Sequence, residues 1–131
     1  MGITHFKNVS GKEAIYMGEK GSEVQLFPVP LLETDGTTTA LLNSGVNLIA
    51  GGTGIADLTL AAPAPGSRVI IRIASISSGT VVVTTASGVT FDGTNNTATF
   101  NAAEDTLELI YKSATEYAIA LNQGSVALSS V

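Results

Sequence analysis

From residue 55 onward, apolar residues recur at every second position. In "SRVIIRIAS" (67–75), Val69, Ile71 and Ile73 fall on one face while Ile70, Arg72 and Ala74 fall on the other. "TVVVTTA" (80–86), "DTLELIYK" (105–112) and "EYAIALN" (116–122) repeat the pattern. Leu107, Leu109 and Tyr111, then Tyr117, Ile119 and Leu121, are the inward positions. A period of two is the signature of a half-buried strand. Ser77-Ser78-Gly79, Ser87-Gly88, Ser113-Ala114-Thr115 and Asn122-Gln123-Gly124 mark turns between these runs. Short strands about 8 to 12 residues apart, separated by turns, predict an all-β sandwich or barrel. Parallel α/β folds are excluded because no helical stretch is present to join parallel strands. The alternation predicts a core of Val69, Ile71, Ile73, Val81, Val83, Phe91, Phe100, Leu107, Leu109, Tyr111, Tyr117, Ile119 and Leu121.

The first 50 residues read differently. Residues 1–36 hold eight of the seventeen charged side chains and alternate poorly. In "FPVPLLETDG" (27–36) two prolines favour an extended run. Thr39 to Leu42 has room for one helical turn, which Asn43-Ser44-Gly45 stops. The expected organisation is therefore an extended N-terminal arm and connector over 1–50, with room for one short strand pair. A single all-β domain, sandwich or barrel, fills 51–131.

Composition narrows the function. Net charge is −5, and Arg68 and Arg72 are the only arginines. Without a basic cluster, phosphate-driven binding of nucleic acid is not expected. No run reaches the roughly 18 to 20 apolar residues that span a bilayer. The start "MGITHFKNVSGKEAIYMGEKG" shows no apolar core of signal-peptide type, so a soluble cytosolic chain is expected. The triplets at Asn8 and Asn95 fit glycosylation acceptors and read as chance without secretion. Apolar residues make up 44% of the chain while charged residues are only 13%. A lone monomer usually carries charge on about a quarter of its residues, so the deficit points to β structure packed against other chains.

Candidate chemistry is sparse. "VTFDGTNNTATF" (89–100) holds one acid, two amides and several hydroxyls between Phe91 and Phe100. Asp92-Gly93 is a strong turn dipeptide, and one carboxylate is too few for a calcium loop. Glu104-Asp105 is the one adjacent acidic pair. Neighbouring strand residues point to opposite faces, so the pair suits a soluble strand start better than acid–base catalysis. Gly51-Gly52-Thr53-Gly54 lacks the Gly-Lys-Ser/Thr ending of a phosphate loop. There is no cysteine, and His5 is the single histidine. No nucleophile, base and electrophile are placed to meet. The expectation is a chain that is not an enzyme and that uses no metal or other cofactor.

The opening "MGITHFKN" and the end "NQGSVALSS", together with "FDGTNNTATF", carry a resemblance. The first six residues and nearly all of 55–129 resemble the head decoration, cement or capsid-fibre proteins of tailed bacteriophages. That resemblance implies that 51–131 is a single β-sandwich domain of jelly-roll or β-tulip type, commonly trimeric, on a capsid shell. Longer members carry repeats or a fibre region where this chain has "GSEVQLFPVPLLETDG", which implies a minimal decoration protein. The implied role is a structural virion protein on the outer capsid surface, made in the host cytoplasm. It would cement the shell by binding the major capsid protein, as a homotrimer, with no nucleic-acid or membrane partner. Candidate capsid contacts are Ile3, His5, Phe6, Ile15, Tyr16, Phe27, Val29 and Leu31, because an arm that orders on binding covers much surface. Candidate subunit contacts are Ile70, Val82 and Ile110, apolar residues on the face that a lone two-layer domain leaves outside. The alternatives are a receptor- or glycan-binding fibre tip, disfavoured by the absence of Trp, and a small β-barrel hydrolase, disfavoured by the missing catalytic residues.

Overall fold

The computed structural model describes residues 3–9, 12–18, 24–26, 30–35, 39–53 and 58–131. Side chains are described for 30–35, 39–50 and 58–131. Among the described residues every regular element is a strand. Strands β1 (Ile3–Val9), β2 (Lys12–Gly18) and β3 (Val24–Leu26) form a three-stranded antiparallel sheet of their own. The remaining strands are β4 (Leu31–Thr34), β5 (Ala40–Leu41), β6 (Gly45–Thr53), β7 (Leu58–Leu60) and β8 (Arg68–Ser78). They continue with β9 (Val81–Thr85), β10 (Thr97–Phe100), β11 (Thr106–Ser113), β12 (Glu116–Gln123) and β13 (Ala127–Ser129). Two mixed five-stranded sheets result: sheet I in the order β12-β11-β8-β6-β4 and sheet II in the order β13-β10-β9-β7-β5.

From β4 to β9 the chain alternates between sheets I and II at each strand. Each crossing adds one strand to either sheet beside its predecessor and parallel to it, as in β4–β6–β8 and β5–β7–β9. A strand of the opposite sheet takes the place that a crossover helix fills in α/β folds. The later pairs are antiparallel. The parallel winding departs from the jelly-roll form of the expected sandwich, whose sheets are antiparallel.

The boundary expected at residue 50 falls inside β6, since β4, β5 and most of β6 are strands of the sandwich. In the segment expected as an extended arm with one strand pair, β1 and β2 form a hairpin and β3 adds a third strand. The helical turn considered at Thr39–Leu42 is instead the short strand β5. Asn47 explains how so short a strand is held. It is fully buried, and its side chain receives Leu42 N at 2.8 Å and donates to Leu42 O at 3.0 Å. One amide thus does what a neighbouring backbone would do, which satisfies groups that are costly to bury unpaired.

The core lies between sheets I and II. Ten of the thirteen residues expected there are fully buried, Ile71, Phe100 and Leu109 among them. Leu41, Ile49, Leu58 and Leu60 join them from the strands that the sequence pattern left outside the core set. Tyr111 and Ile119 are half-buried, while Leu121 is 41% exposed. The cause is a β-bulge: Leu109 pairs with Ile119 and Glu108 with Leu121, leaving Ala120 unpaired. One extra residue reverses the facing of everything after it, so Leu121 shares the outer side with Glu108.

Candidate functional site

The loop from Phe91 to Phe100 is a turn that grips the end of the chain. Asp92 Oδ1 accepts hydrogen bonds from Asn95 N at 2.7 Å and Thr94 N at 3.0 Å, and Oδ2 accepts from Asn95 Nδ2 at 2.8 Å. The bond from the Asn95 backbone, helped by the others, holds the carboxyl below its ordinary value. Gly93 takes φ of 89°, where glycine meets no steric penalty. Asn96 then binds the C-terminal segment: its N–H donates to Ser129 O at 3.0 Å, and its Oδ1 accepts from Val131 N at 2.9 Å. Ser130 Oγ donates to Thr94 O at 2.9 Å. The amides and hydroxyls that draw attention in this stretch are thus used in fastening residues 129–131.

The acidic pair separates by role as well as by direction. Asp105 is 4% exposed, and its Oδ2 accepts from Asn101 N and Ala102 N, both at 3.0 Å. It organises the turn before β11 and does not serve as a solvated edge residue, which corrects the expectation for this half of the pair. Glu104 stands at φ 74° and meets Arg72 in an ion pair. Tyr117 is buried against Phe91, with ring centroids 6.5 Å apart, and its hydroxyl donates to Ala61 O at 2.7 Å. Desolvation pushes this phenol up to about 12. An open hollow of about 510 Å³ is lined by Glu33, Thr34, Asp35, Leu48, Ala50 and Ala74. Two carboxylates share this lining with Leu48 and two alanines, and no described histidine or lysine lines it. Among the described residues no three His, Cys, Asp or Glu side chains gather as a metal site, and no helix is long and apolar enough to cross a membrane.

The two outer faces of the sandwich differ in chemistry. The five strands of sheet II contain no charged residue. Across its outer side one register row reads Ala40, Thr59, Thr84, Thr97 and Ser129, and Val82 lies beside Thr99 in the next. Sheet I presents the row Leu31, Val46, Ile70, Glu108 and Leu121, with Arg68 and Ile110 opposite one another in the next. Leu31 is 51% and Ile110 41% exposed. Ion pairs Arg68–Glu108 and Arg72–Glu104 lie on this side.

Against this geometry the candidate residues sort cleanly. Ile70 and Ile110 share the outer face of sheet I, whereas Val82 belongs to the outer face of sheet II, on the opposite side of the sandwich. Leu31 is a sandwich residue on β4 and not an arm residue. On the backbone, Phe6 pairs with Ile15 and His5 with Tyr16, while Ile3 stands opposite Gly18. Phe27 and Val29 lie outside the described residues. Leu121 was hidden from sequence reasoning, because nothing in "EYAIALN" announces the bulge. No family model, no curated protein and no solved structure matches the chain.

Proposed function

We propose that this chain is a structural virion protein that decorates a tailed-phage capsid and cements it by binding the major capsid protein. It works as a homotrimer on the outer capsid surface, through its surfaces and without catalysis. The observation that carries the reading is the uncharged outer face of sheet II, five strands wide. A face of threonine, serine, alanine and valine carries no ion to desolvate when another protein covers it. The resemblance of the opening and closing phrases to phage decoration proteins supports the major capsid protein as the partner. Residues 1–36 hold Ile3, Phe6, Ile15, Tyr16 and Phe27, apolar side chains in a charge-mixed segment, and these are the anchors on the shell.

The test uses shells assembled without this protein. Adding the purified full chain is expected to give saturable binding and a higher temperature of shell rupture. Absence of both overturns the reading. A variant lacking residues 2–20 separates the role of the N-terminal segment. If it stays folded and loses binding, the segment holds the shell. If it binds unchanged, the contact lies elsewhere, and if the free protein unfolds, the segment belongs to the stability of the chain itself.

A further inference from the structure

Residues 126–131 form a strap. They leave β12, the edge strand of sheet I, and cross to sheet II, where β13 is the outermost strand and pairs with β10 alone. The ladder has three pairs: Thr97 with Ser129, Ala98 with Leu128 and Thr99 with Ala127. Side-chain amides fasten the strap at both ends. Asn122 Oδ1 accepts from Val126 N at 2.8 Å, and its Nδ2 donates to Val126 O at 2.9 Å. At the far end Asn96 Oδ1 accepts from Val131 N at 2.9 Å, and its Nδ2 donates to Val131 O at 3.4 Å. Apolar burial is slight: Val126 is buried and Leu128 half-buried, while Ala127, Ser129, Ser130 and Val131 are exposed. A segment with so few buried apolar contacts opens at lower free energy than the fold as a whole. Its hinge is strained. Only Gly124 and Ser125 separate β12 from the strap, and both are exposed and left-handed, at φ 86° and 60°. Glycine takes that conformation freely, whereas the Cβ of Ser125 is disfavoured there.

We propose that crowded copies of this chain exchange straps: residues 126–131 of one copy leave their own β10 and pair with β10 of a second copy. The chemistry of the vacated edge names its occupant. An open β10 edge presents unpaired backbone groups that call for another strand. A second copy supplies the same Val126, Leu128 and backbone groups, so Asn96, Asn122 and the three ladder pairs all find their partners again. Only the hinge then differs between the closed and exchanged forms. Across two copies Gly124 and Ser125 extend, and Ser125 leaves the left-handed region. Short hinges under strain favour exchange for this reason. At low concentration the chain's own strap wins, because its tether keeps it at a local concentration that a free copy does not match. Crowding reverses that balance. The exchange follows from the strap and its hinge alone and does not depend on the decoration role.

The chain has no cysteine, so introduced thiols report the exchange cleanly. Thr99 and Ala127 stand opposite one another, and opposite residues of an antiparallel pair lie within disulfide reach. The double variant Thr99→Cys/Ala127→Cys is refolded and oxidised either at low concentration or after incubation at high concentration. Both samples are run under denaturing, non-reducing conditions, which report links between β10 and β13 whatever other contacts join the copies. The dilute sample is expected to give single chains linked internally. The concentrated sample is expected to give two or more chains linked to one another. Adding Ser125→Gly, which removes the hinge strain, is expected to lower the linked fraction about fivefold or more. Thr97→Cys/Ser129→Cys reads the same ladder if the first pair disturbs the β circular-dichroism signal. Links that stay within one chain at every concentration overturn the proposal. So does linking equally frequent in the Thr99→Cys single variant, which would report surface collision, or a linked fraction that Ser125→Gly leaves unchanged.

Discussion

Gly124 and Asp105 form a lock whose strength is measurable. Gly124 follows β12 with φ of 86°, at the end of the β11–β12 hairpin where Thr106 pairs with Gln123. A Cβ at this position would overlap Asp105 Oδ1 and stand 2.9 Å from its Cγ. The Gly124→Ala substitution therefore does two things. It places an L-side chain in the left-handed region, at about 1–2 kcal/mol. It also displaces a buried carboxylate from the Asn101 and Ala102 amides, and each charge-assisted bond weakened costs up to about 1.5–3 kcal/mol. The expected loss is about 3–5 kcal/mol. Gly66 is the control, because it has φ of 73° and open space where its Cβ would go. Gly66→Ala should cost only the strain, about 1–2 kcal/mol. Urea titration with an unchanged slope reads both differences directly. In an Asp105→Ala background the Gly124 substitution should fall to the Gly66 value. If Gly124→Ala and Gly66→Ala cost the same in the parent protein, the lock does not exist.

Leu109→Ala should cost about 2–5 kcal/mol as a buried large-to-small change, whereas Leu121→Ala should cost under about 0.5 kcal/mol in the isolated subunit; equal losses would refute the bulge at Ala120. Tyr117 favours the folded state through its neutral form, so its contribution is complete below pH 10.0 and is lost as pH rises towards about 12. Tyr117→Phe should flatten that alkaline segment of the urea midpoint against pH, and an unchanged profile would contradict it. Asp92 acts with the opposite sign: its lowered value stabilises the loop above pH 3.8, and the benefit disappears as pH falls through the folded value. Amide exchange at Thr94 and Asn95 should speed up at that acid end, relative to the intrinsic rate, and a constant protection factor would count against the carboxylate's role.

The second half of the chain was legible because its strands are long enough to show a period. β8, β11 and β12 span eight to eleven residues, and their alternation places Ile71, Leu107 and Leu109 correctly. The first half was not, for a physical reason. β4, β5 and β7 run two to four residues, too short for any period to stand out. Their place is set by partners far along the chain, such as Thr59 beside Thr84. Asn47 reads as part of a polar break in "LLNSGVN", yet it sits buried as a stand-in for backbone. The parallel winding leaves no local signal, since it depends on which sheet each strand joins and not on how any one strand is composed. Alternation put Ile70, Val82 and Ile110 alike on outer faces, and only the pairing of β8 with β11 brings Ile70 and Ile110 to the same one. That Val82 faces the other way required the assignment of strands to sheets.

The opposition of the two outer faces leads to a last prediction. In a sandwich these faces point in opposite directions. If copies joined by placing sheet I of one on sheet II of the next, the assembly would grow as an open stack. On the trimeric reading proposed above, one face therefore joins the copies and the other stays free. The apolar row of sheet I, with residues such as Leu31 and Leu121 at its edges, suits the contact between copies. On the same reading the uncharged face of sheet II is the one left for the shell. Two single charges separate these roles. Val82→Lys puts an ion into the uncharged face; it should leave the mass at three chains and weaken shell binding at least tenfold, about 1.4 kcal/mol or more. Ile110→Glu should reduce the mass to one chain while the sheet II face stays intact. Lone subunits would then bind shells more weakly only because they lose the avidity of three linked contacts. If Val82→Lys dissociates the trimer and Ile110→Glu does not, the assignment of the two faces is reversed.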